Sequence, residues 1–409
     1  MNTTLKYEKR MLLLVYLLCL ALFTNIAVKQ TPIDKMAFII AGILIIIIGF
    51  SHFIIRKFYP DGDKYMLIFA SVLAVVGIAV LYRLDPKLAI KQLVWFSLGI
   101  ALYMGIVIVM PDLKSFAKYK YIYMGGTLIF MAMAMVIGKT VNGAKNWVYI
   151  GSFGFQPSEI GKIFLILYLA SALMNYEKKD NIKYEFKQLL EPALVVMYSL
   201  GFMVLQKDLG SALMFFFVSI TMLYIATCNW KYVGTGLVLF SLGGTVSYFL
   251  FSHVKKRVMI WKDVWKYASN ESYQIVQGFY AMSLGGMFGT GLYNGYPKLV
   301  PFASTDFIFT LIAQELGLVF GIGLLLLYFL LFYRGIRAAL NTDDPFSQLN
   351  AVGFSTLIVA QVLVIIGGVF AVIPLTGITL PLVSYGGTSM LTVFIALGIL
   401  QKISEEGLR

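Results

Sequence analysis

Residues 65–84 read YMLIFASVLAVVGIAVLYRL, with no charge before Arg83 and no alternation of polar and apolar side chains. At a helical rise of 1.5 Å per residue, twenty residues cover about 30 Å, the thickness of a bilayer's hydrocarbon core. Inside hydrocarbon the backbone has to satisfy its own hydrogen bonds, which leaves helices or closed barrels. Unbroken apolar character favours the helix. The pattern repeats in both directions along the chain. It predicts spans at roughly 11–28, 36–55, 65–84, 92–110, 121–138, 159–175, 192–206, 210–228, 232–251, 306–333, 351–373 and 385–401. The seventh is short and ends in Gln206-Lys207-Asp208, and the tenth is long and contains Gln314 and Glu315. The expected fold is therefore all-α, a polytopic transmembrane helical bundle of about twelve spans. Composition agrees: 59% of the 409 residues are hydrophobic and 13% charged, against about 25% charged in a soluble domain.

Net charge is +13, which on a soluble protein would raise nucleic acid as a partner. In a membrane protein it reads as positive-inside bias, so no nucleic acid is expected. Twelve spans put both termini on one side. That side collects 18 of the 33 Lys and Arg residues, and six of the other 15 fall in one connection, 252–305. Both termini are therefore expected in the cytoplasm. Segments 139–158, 206–210, 252–305 and 374–384 then face outward. The connection 252–305 is long, basic and rich in aromatics and glycine, which suits lipid headgroups or a phosphate-bearing ligand. Cys19 and Cys228 are far apart, so no disulfide is expected. His52 and His253 lack His or Cys neighbours, so no zinc site is expected. Lys6, Lys9 and Arg10 precede the first apolar run, but no cleavage site follows, and the run is read as a retained span. The glycines at 285–291 and 386–387 are not followed by the Lys-Ser/Thr of a phosphate-binding loop.

Ionisable groups at or within spans are costly, and they face a bundle interior or a water-filled cavity. Glu159 and Lys162 are three apart on one helical face, where they can pair. Asp208 lies between two spans. Asp306 opens the tenth span, and Glu315 follows about two and a half turns deeper. A structural pairing accounts for Glu159, Lys162 and Glu315 as well as a functional role does. Asp306, where the basic connection re-enters the membrane, favours function.

Several of these positions fall in recognisable motifs. They are Asn142-Gly143-Ala144-Lys145-Asn146-Trp147, Phe155-Gln156-Pro157-Ser158-Glu159-Ile160-Gly161-Lys162, Asp208-Leu209-Gly210-Ser211, Ser304-Thr305-Asp306-Phe307-Ile308-Phe309, Glu315-Leu316-Gly317, and Pro381-Leu382-Val383-Ser384-Tyr385-Gly386-Gly387-Thr388-Ser389. Arg257, Gln277 and the glycines at 285–291 lie between the third and fourth. In this order the motifs resemble the RodA/FtsW/SpoVE (SEDS) family of peptidoglycan glycosyltransferases over roughly residues 65–405. Residues 1–60 read as an extra two-span segment and 61–409 as the family's core, with its extracytoplasmic loop at 252–305. Asn146, Lys207, Ser304 and Gln314 stand where the family commonly has arginine, proline, histidine and glutamate.

The resemblance implies polymerisation of lipid II at the outer face of the bacterial cytoplasmic membrane, for elongation, division or sporulation. It makes Asp306 the catalytic base and places Lys145, Arg257 and Lys298 against diphosphate. Trp147, Gln156, Glu159, Lys162, Asp208, Gln277, Glu315 and Ser384 complete the implied substrate contacts. A class B penicillin-binding transpeptidase and membrane lipids are the implied partners. The donor is already activated, so no nucleotide cofactor is needed. A divalent cation, Mg or Mn, beside Asp306 or Glu315 is a further expectation. Two alternatives stay open on the sequence: a lipid II flippase and a non-catalytic scaffold.

Overall fold

The computed structural model describes residues 2–59, 62–141, 143–151, 153–179 and 182–407. The motif residue Asn142, the boundary at 60/61 and the terminal Arg409 lie outside them. Among the described residues, eleven helices are long and apolar enough to cross a membrane. They are α1 (Asn2–Val28), α2 (Lys35–Phe58), α3 (Tyr65–Leu84), α4 (Pro86–Val109), α5 (Lys120–Ile137) with the 3-10 turn before it, α7 (Ile182–Leu205), α8 (Leu209–Thr227), α9 (Trp230–Leu250), α13 (Leu318–Leu340), α14 (Pro345–Val369) and α15 (Gly387–Glu406). The predicted sixth span is α6 (Pro157–Leu173), at 17 residues the shortest helix in the series.

The helix starts follow local chemistry. Asp85 accepts a hydrogen bond from Lys87 N and is followed by Pro86 at the first helical position, so α4 begins earlier than its apolar run. Asp344 with Pro345 does the same for α14. The interior belongs to α3, α14 and α15, buried along most of their length. α15 packs on α4 and α14, and α13 on α14 and α3. α9 buries none of its residues and lies at the periphery.

One expectation needs correcting. The tenth span, 306–333, is not one helix. It divides at Gly317 into α12 (Ile308–Leu316) and α13. Gly317 has φ +91, and a Cβ there would lie 2.4 Å from the backbone carbon of Phe288. The break receives the end of α11 (Tyr273–Gly285): Leu318 N donates to Gly286 O and Val319 N to Met287 O. The helix is broken because another backbone occupies its path. The connection 252–305 is partly structured, holding α10 (Ser252–Lys262) and α11. A small antiparallel sheet of β1 (Lys139–Val141), β2 (Ala144–Ile150) and β3 (Phe153–Phe155) joins α5 to α6, paired Lys139 with Trp147 and Val148 with Phe155.

The α1–α2 pair is tied to the rest through its connecting turn and, past the far end of α2, by Tyr59 Oη donating to Val107 O at 2.7 Å. Gln30 Nε2 donates to Tyr293 Oη at 2.7 Å, Lys29 Nζ to Asn294 Oδ1 at 3.4 Å and Tyr82 Oη to Asp34 Oδ2 at 2.5 Å. Arg83 stacks 4.3 Å over the Tyr293 ring and pairs with Glu315 at 3.1 Å.

Gly77 on α3 shows how tightly the bundle meets its irregular segment. A Cβ there would lie 2.5 Å from Val383 O and 2.6 Å from Val383 Cα. Gly77→Ala therefore pushes the 382–383 backbone away and is expected to cost about 1–3 kcal/mol, the usual range for overpacking. Unfolding midpoints of the two proteins in detergent measure the loss, and equal midpoints would contradict the contact.

Candidate active site

Residues 370–386 connect α14 to α15 without regular structure, so their carbonyls have no ladder partners. Buried backbone groups left unpaired are costly. Side chains from four helices meet them. Arg257 Nη1 of α10 donates to Leu375 O at 2.9 Å and Thr376 O at 3.0 Å. Gln361 Nε2 of α14 reaches Thr379 O at 2.8 Å. Tyr328 Oη of α13 bonds Pro381 O. Gln92 of α4 donates to Ser384 O at 3.0 Å and accepts from Gly386 N at 3.2 Å.

This segment carries the Asp306 turn. Ser384 Oγ donates to Thr305 O at 2.6 Å and accepts from Leu380 N, and Tyr385 N donates to Ser304 O at 2.8 Å. Gly377, at φ +74, brings its backbone against the carboxylate, and a Cβ there would lie 3.5 Å from Asp306 Oδ2. Asp306 precedes α12, outside the eleven spanning helices. Burial pushes its carboxyl up to about 6, against the opposing pull of the Thr305 hydrogen bond and the Arg257 charge. Burial lowers the Arg257 guanidinium from its usual value, while Asp208 and Asp306 act the other way. A carboxylate so placed can accept a proton near neutral pH.

Asp306 and Arg257 line a cavity of about 920 Å³ at this end of the bundle, together with Trp147, Gln156, Glu159 and Asp208 of the predicted residues. Asp208 caps α8, accepting from Ser211 N at 3.0 Å and Ser211 Oγ at 2.8 Å, and Gln156 Nε2 approaches it at 3.4 Å. Glu159 is held by Lys162 Nζ at 2.6 Å and by Thr392 Oγ1 at 3.0 Å. The other predicted residues lie elsewhere. Lys145 Nζ donates to Met135 O at 2.6 Å, outside the cavity lining. Lys162 is buried behind Glu159. Gln277 is half-buried on α11, and Lys298 is exposed on a 3-10 turn. Glu315 is committed to Arg83 and to Tyr293 N. Ser384 shapes the Asp306 turn from behind.

Sequence reasoning missed Lys91 and Trp95 of α4, and Lys207 entered it only as a departure from the family pattern; all three line the cavity. It also missed Gln92 and Gln361. Their signal is a polar side chain inside an apolar span. No three His, Cys, Asp or Glu side chains group as metal ligands among the described residues. An apolar trough of about 1110 Å³ between α6, α7, α8 and α9 adjoins the cavity and shares Arg257, Leu375 and Thr376 with it.

A bundle of membrane-spanning helices that shelters a buried carboxylate in a cavity at one end defines a multi-pass membrane protein with a site at the end of its bundle. The family model described as cell cycle protein, FtsW/RodA/SpoVE, matches residues 63–408, and the chain belongs to that family. It is 36% identical over 386 residues to the peptidoglycan glycosyltransferase RodA of Mycobacterium tuberculosis, covering 88% of this chain and 82% of that protein. It is 32% identical over 361 residues to stage V sporulation protein E of Bacillus subtilis, covering 84% and 97%. Among solved structures it is similar to a chain of a peptidoglycan synthase complex studied for the coordination of polymerization and crosslinking (TM-score 0.72, 27% identity, 85% of this chain and 99% of that one). It is also similar to the rod shape determining protein RodA of Thermus thermophilus (TM-score 0.63, 26% identity, 85% and 98%). α1 and α2 precede the matched region.

The Glu159–Lys162 pair gives a test of the cavity floor. Lys162→Met alone strands a buried carboxylate and should cost about 3–5 kcal/mol, whereas adding Glu159→Gln should recover most of it. Unfolding midpoints of the single and double variants decide this, and a harmless single variant would refute the pairing.

Proposed function

We propose that this protein is a peptidoglycan glycosyltransferase that polymerises lipid II, with Asp306 as the general base. The observation that carries the reading is the Asp306 carboxylate held against Gly377 in a cavity that Arg257 also lines, with an apolar trough adjoining. An amphiphile with a charged head and a long apolar tail suits both spaces.

The sugar hydroxyl of one lipid-linked substrate attacks the anomeric carbon of another. As the new C–O bond forms, Asp306 takes the hydroxyl proton. The bond to the lipid diphosphate breaks, and the diphosphate leaves with the electron pair, so a single displacement inverts the anomeric centre. Arg257 spends two N–H groups on Leu375 O and Thr376 O. A guanidinium has five, and the rest are available to the departing oxygens. On this reading the chain's own cations meet that charge, and no step passes through a protein-held Mg or Mn.

The cavity faces the outer side of the cytoplasmic membrane and both termini the cytoplasm, a reading supported by the 18 Lys and Arg residues at the opposite ends of the spans. A class B penicillin-binding transpeptidase crosslinks the product. The similarity to a chain from a complex of polymerization and crosslinking supports that partner.

Asp306→Asn should lower glycan synthesis from labelled lipid II by roughly 100- to 10,000-fold, the range for loss of a general base, with insertion and folding retained. Full polymer from that variant would remove Asp306 from the role of base, and a wild type that makes no polymer would point instead to a scaffold or, where lipid is translocated, a flippase. A carboxyl near 6 also sets a pH dependence. The base form predominates above about 6 and is lost as pH falls through it, so the rate should drop about tenfold per unit below. A rate–pH profile flat from 5 to 7 would remove Asp306 from the role.

A further inference from the structure

Asp306 is carried by α12, a helix of nine residues that begins at Ile308. The approach to α12 is tied to the irregular segment 370–386, by Ser384 Oγ to Thr305 O and Tyr385 N to Ser304 O. The far end of α12 is held by a different set. Arg83 Nε donates to Glu315 Oε1 at 3.1 Å, and Tyr293 N donates to Glu315 Oε2 at 3.2 Å. Arg83 Nη2 also reaches Gly295 O at 3.3 Å. Residues 290–296 are stitched to the same end, through Thr290 N to Gln314 O, Gly291 N to Glu315 O and Tyr296 N to Gln314 Oε1. Among them Tyr293 holds a left-handed conformation, φ +71, with Arg83 stacked on its ring and Gln30 on its hydroxyl. That conformation is costly for an aromatic residue and persists only where the surroundings enforce it.

The Glu315 side chain is 2% exposed and that of Arg83 12%. A buried ion pair is a weak source of stability, since apolar side chains of similar volume often do as well. What this pair supplies is placement. α11 presses on one side of α12: a Cβ at Gly278 would lie 3.0 Å from the Phe307 ring, and one at Gly285 would strike Ala313 O. Motion along the axis of α12 remains, and the bonds to both oxygens of Glu315 oppose it. α3 supplies the reference for both ends. Its Arg83 holds Glu315, and its Gly77, six residues earlier, meets Val383 beside Ser384. One helix thus registers α12 against the segment that shapes the Asp306 turn.

We propose that Arg83 and Glu315 are positioning residues for Asp306: the pair fixes α12 along its axis and so sets where the carboxylate meets the attacking hydroxyl. Tyr293 and Gln30 form an outer layer that holds the Arg83 guanidinium in place. Through Gln30, the α1–α2 turn acts on the catalytic base. The inference rests on the reading of Asp306 as general base and deepens it. Misplacing a reacting group by about 1 Å costs up to roughly 100-fold in rate, so the pair acts on kcat rather than on substrate binding.

The test uses the full chain with its transpeptidase partner and labelled lipid II, and reads kcat, KM and lipid II bound per chain. Arg83→Gln and Glu315→Gln should each lower kcat roughly 10- to 100-fold, with KM and bound lipid II kept. The double variant should be no slower than the slower single one, because the two residues act as a unit. Arg83→Lys, which keeps a charge for Glu315, should recover part of the rate. Tyr293→Phe keeps the ring and the ion pair and removes only the Gln30 bond. It should lower kcat about two- to tenfold, the range for one hydrogen bond, and Gln30→Leu should add nothing to it. In an Asp306→Asn chain, Arg83→Gln should leave the residual rate unchanged. Wild-type kcat in Arg83→Gln or in Tyr293→Phe, or a further loss in the Asp306→Asn chain, would overturn the inference. Bound lipid II falling in step with the rate would also overturn it, assigning the pair to stability alone. Those outcomes leave the polymerase reading intact, whereas a wild type that makes no polymer would overturn that reading itself.

Discussion

A stretch of backbone without regular structure, set into the end of a membrane bundle, is the constraint on which this molecule turns. Irregular backbone at membrane depth survives only where protein or a water-filled cavity supplies hydrogen-bond partners. Residues 370–386 receive theirs from Gln92, Arg257, Tyr328 and Gln361, each on a different helix. The segment therefore takes its shape from the relative placement of α4, α10, α13 and α14. It passes that placement on to Asp306 through Ser384, Tyr385 and Gly377. The carboxylate is positioned by the whole bundle rather than by its own short turn.

The electrostatics follow from the same arrangement. Of the acids at the cavity wall, Asp208 is met by the start of α8 and Glu159 by Lys162 and Thr392. Asp306 has the distant help of Arg257 and one hydroxyl, so burial dominates and its proton affinity rises. Three carboxylates of one chemical type thus take two kinds of role, separated by their hydrogen-bond partners.

Much of the fold was legible because the signal in the sequence is long and redundant. Twenty apolar residues such as 65–84 leave little choice but a spanning helix, and the observed helix is Tyr65–Leu84. The tenth span reads as one helix because Gln314-Glu315 is only a short interruption of a long apolar run, while the cause of the break, the backbone at 286–289, is distant in sequence. The sheet at 139–155 was missed because its strands are three and seven residues long and only partly buried. At the site, the motifs brought Asp306, Arg257, Trp147, Gln156, Glu159 and Asp208 to one cavity. They also contained Lys145 and Glu315, whose polar atoms serve a carbonyl and an arginine instead. A motif marks positions under joint constraint, and only the geometry separates the groups facing a ligand from those that hold the wall.

The joint between α1–α2 and residues 290–296 carries a different implication, about heredity. Gln30 and Asp34 precede the family core, yet their partners Tyr293 and Tyr82 lie inside it, and Tyr293 shares Arg83 and Glu315 with the C-terminal end of α12. Recombination at residue 60 would separate genes at a place where the folded molecule is continuous. A chimera assembled there inherits half a lock, and transfer of α1 and α2 has to include the tyrosines that receive them.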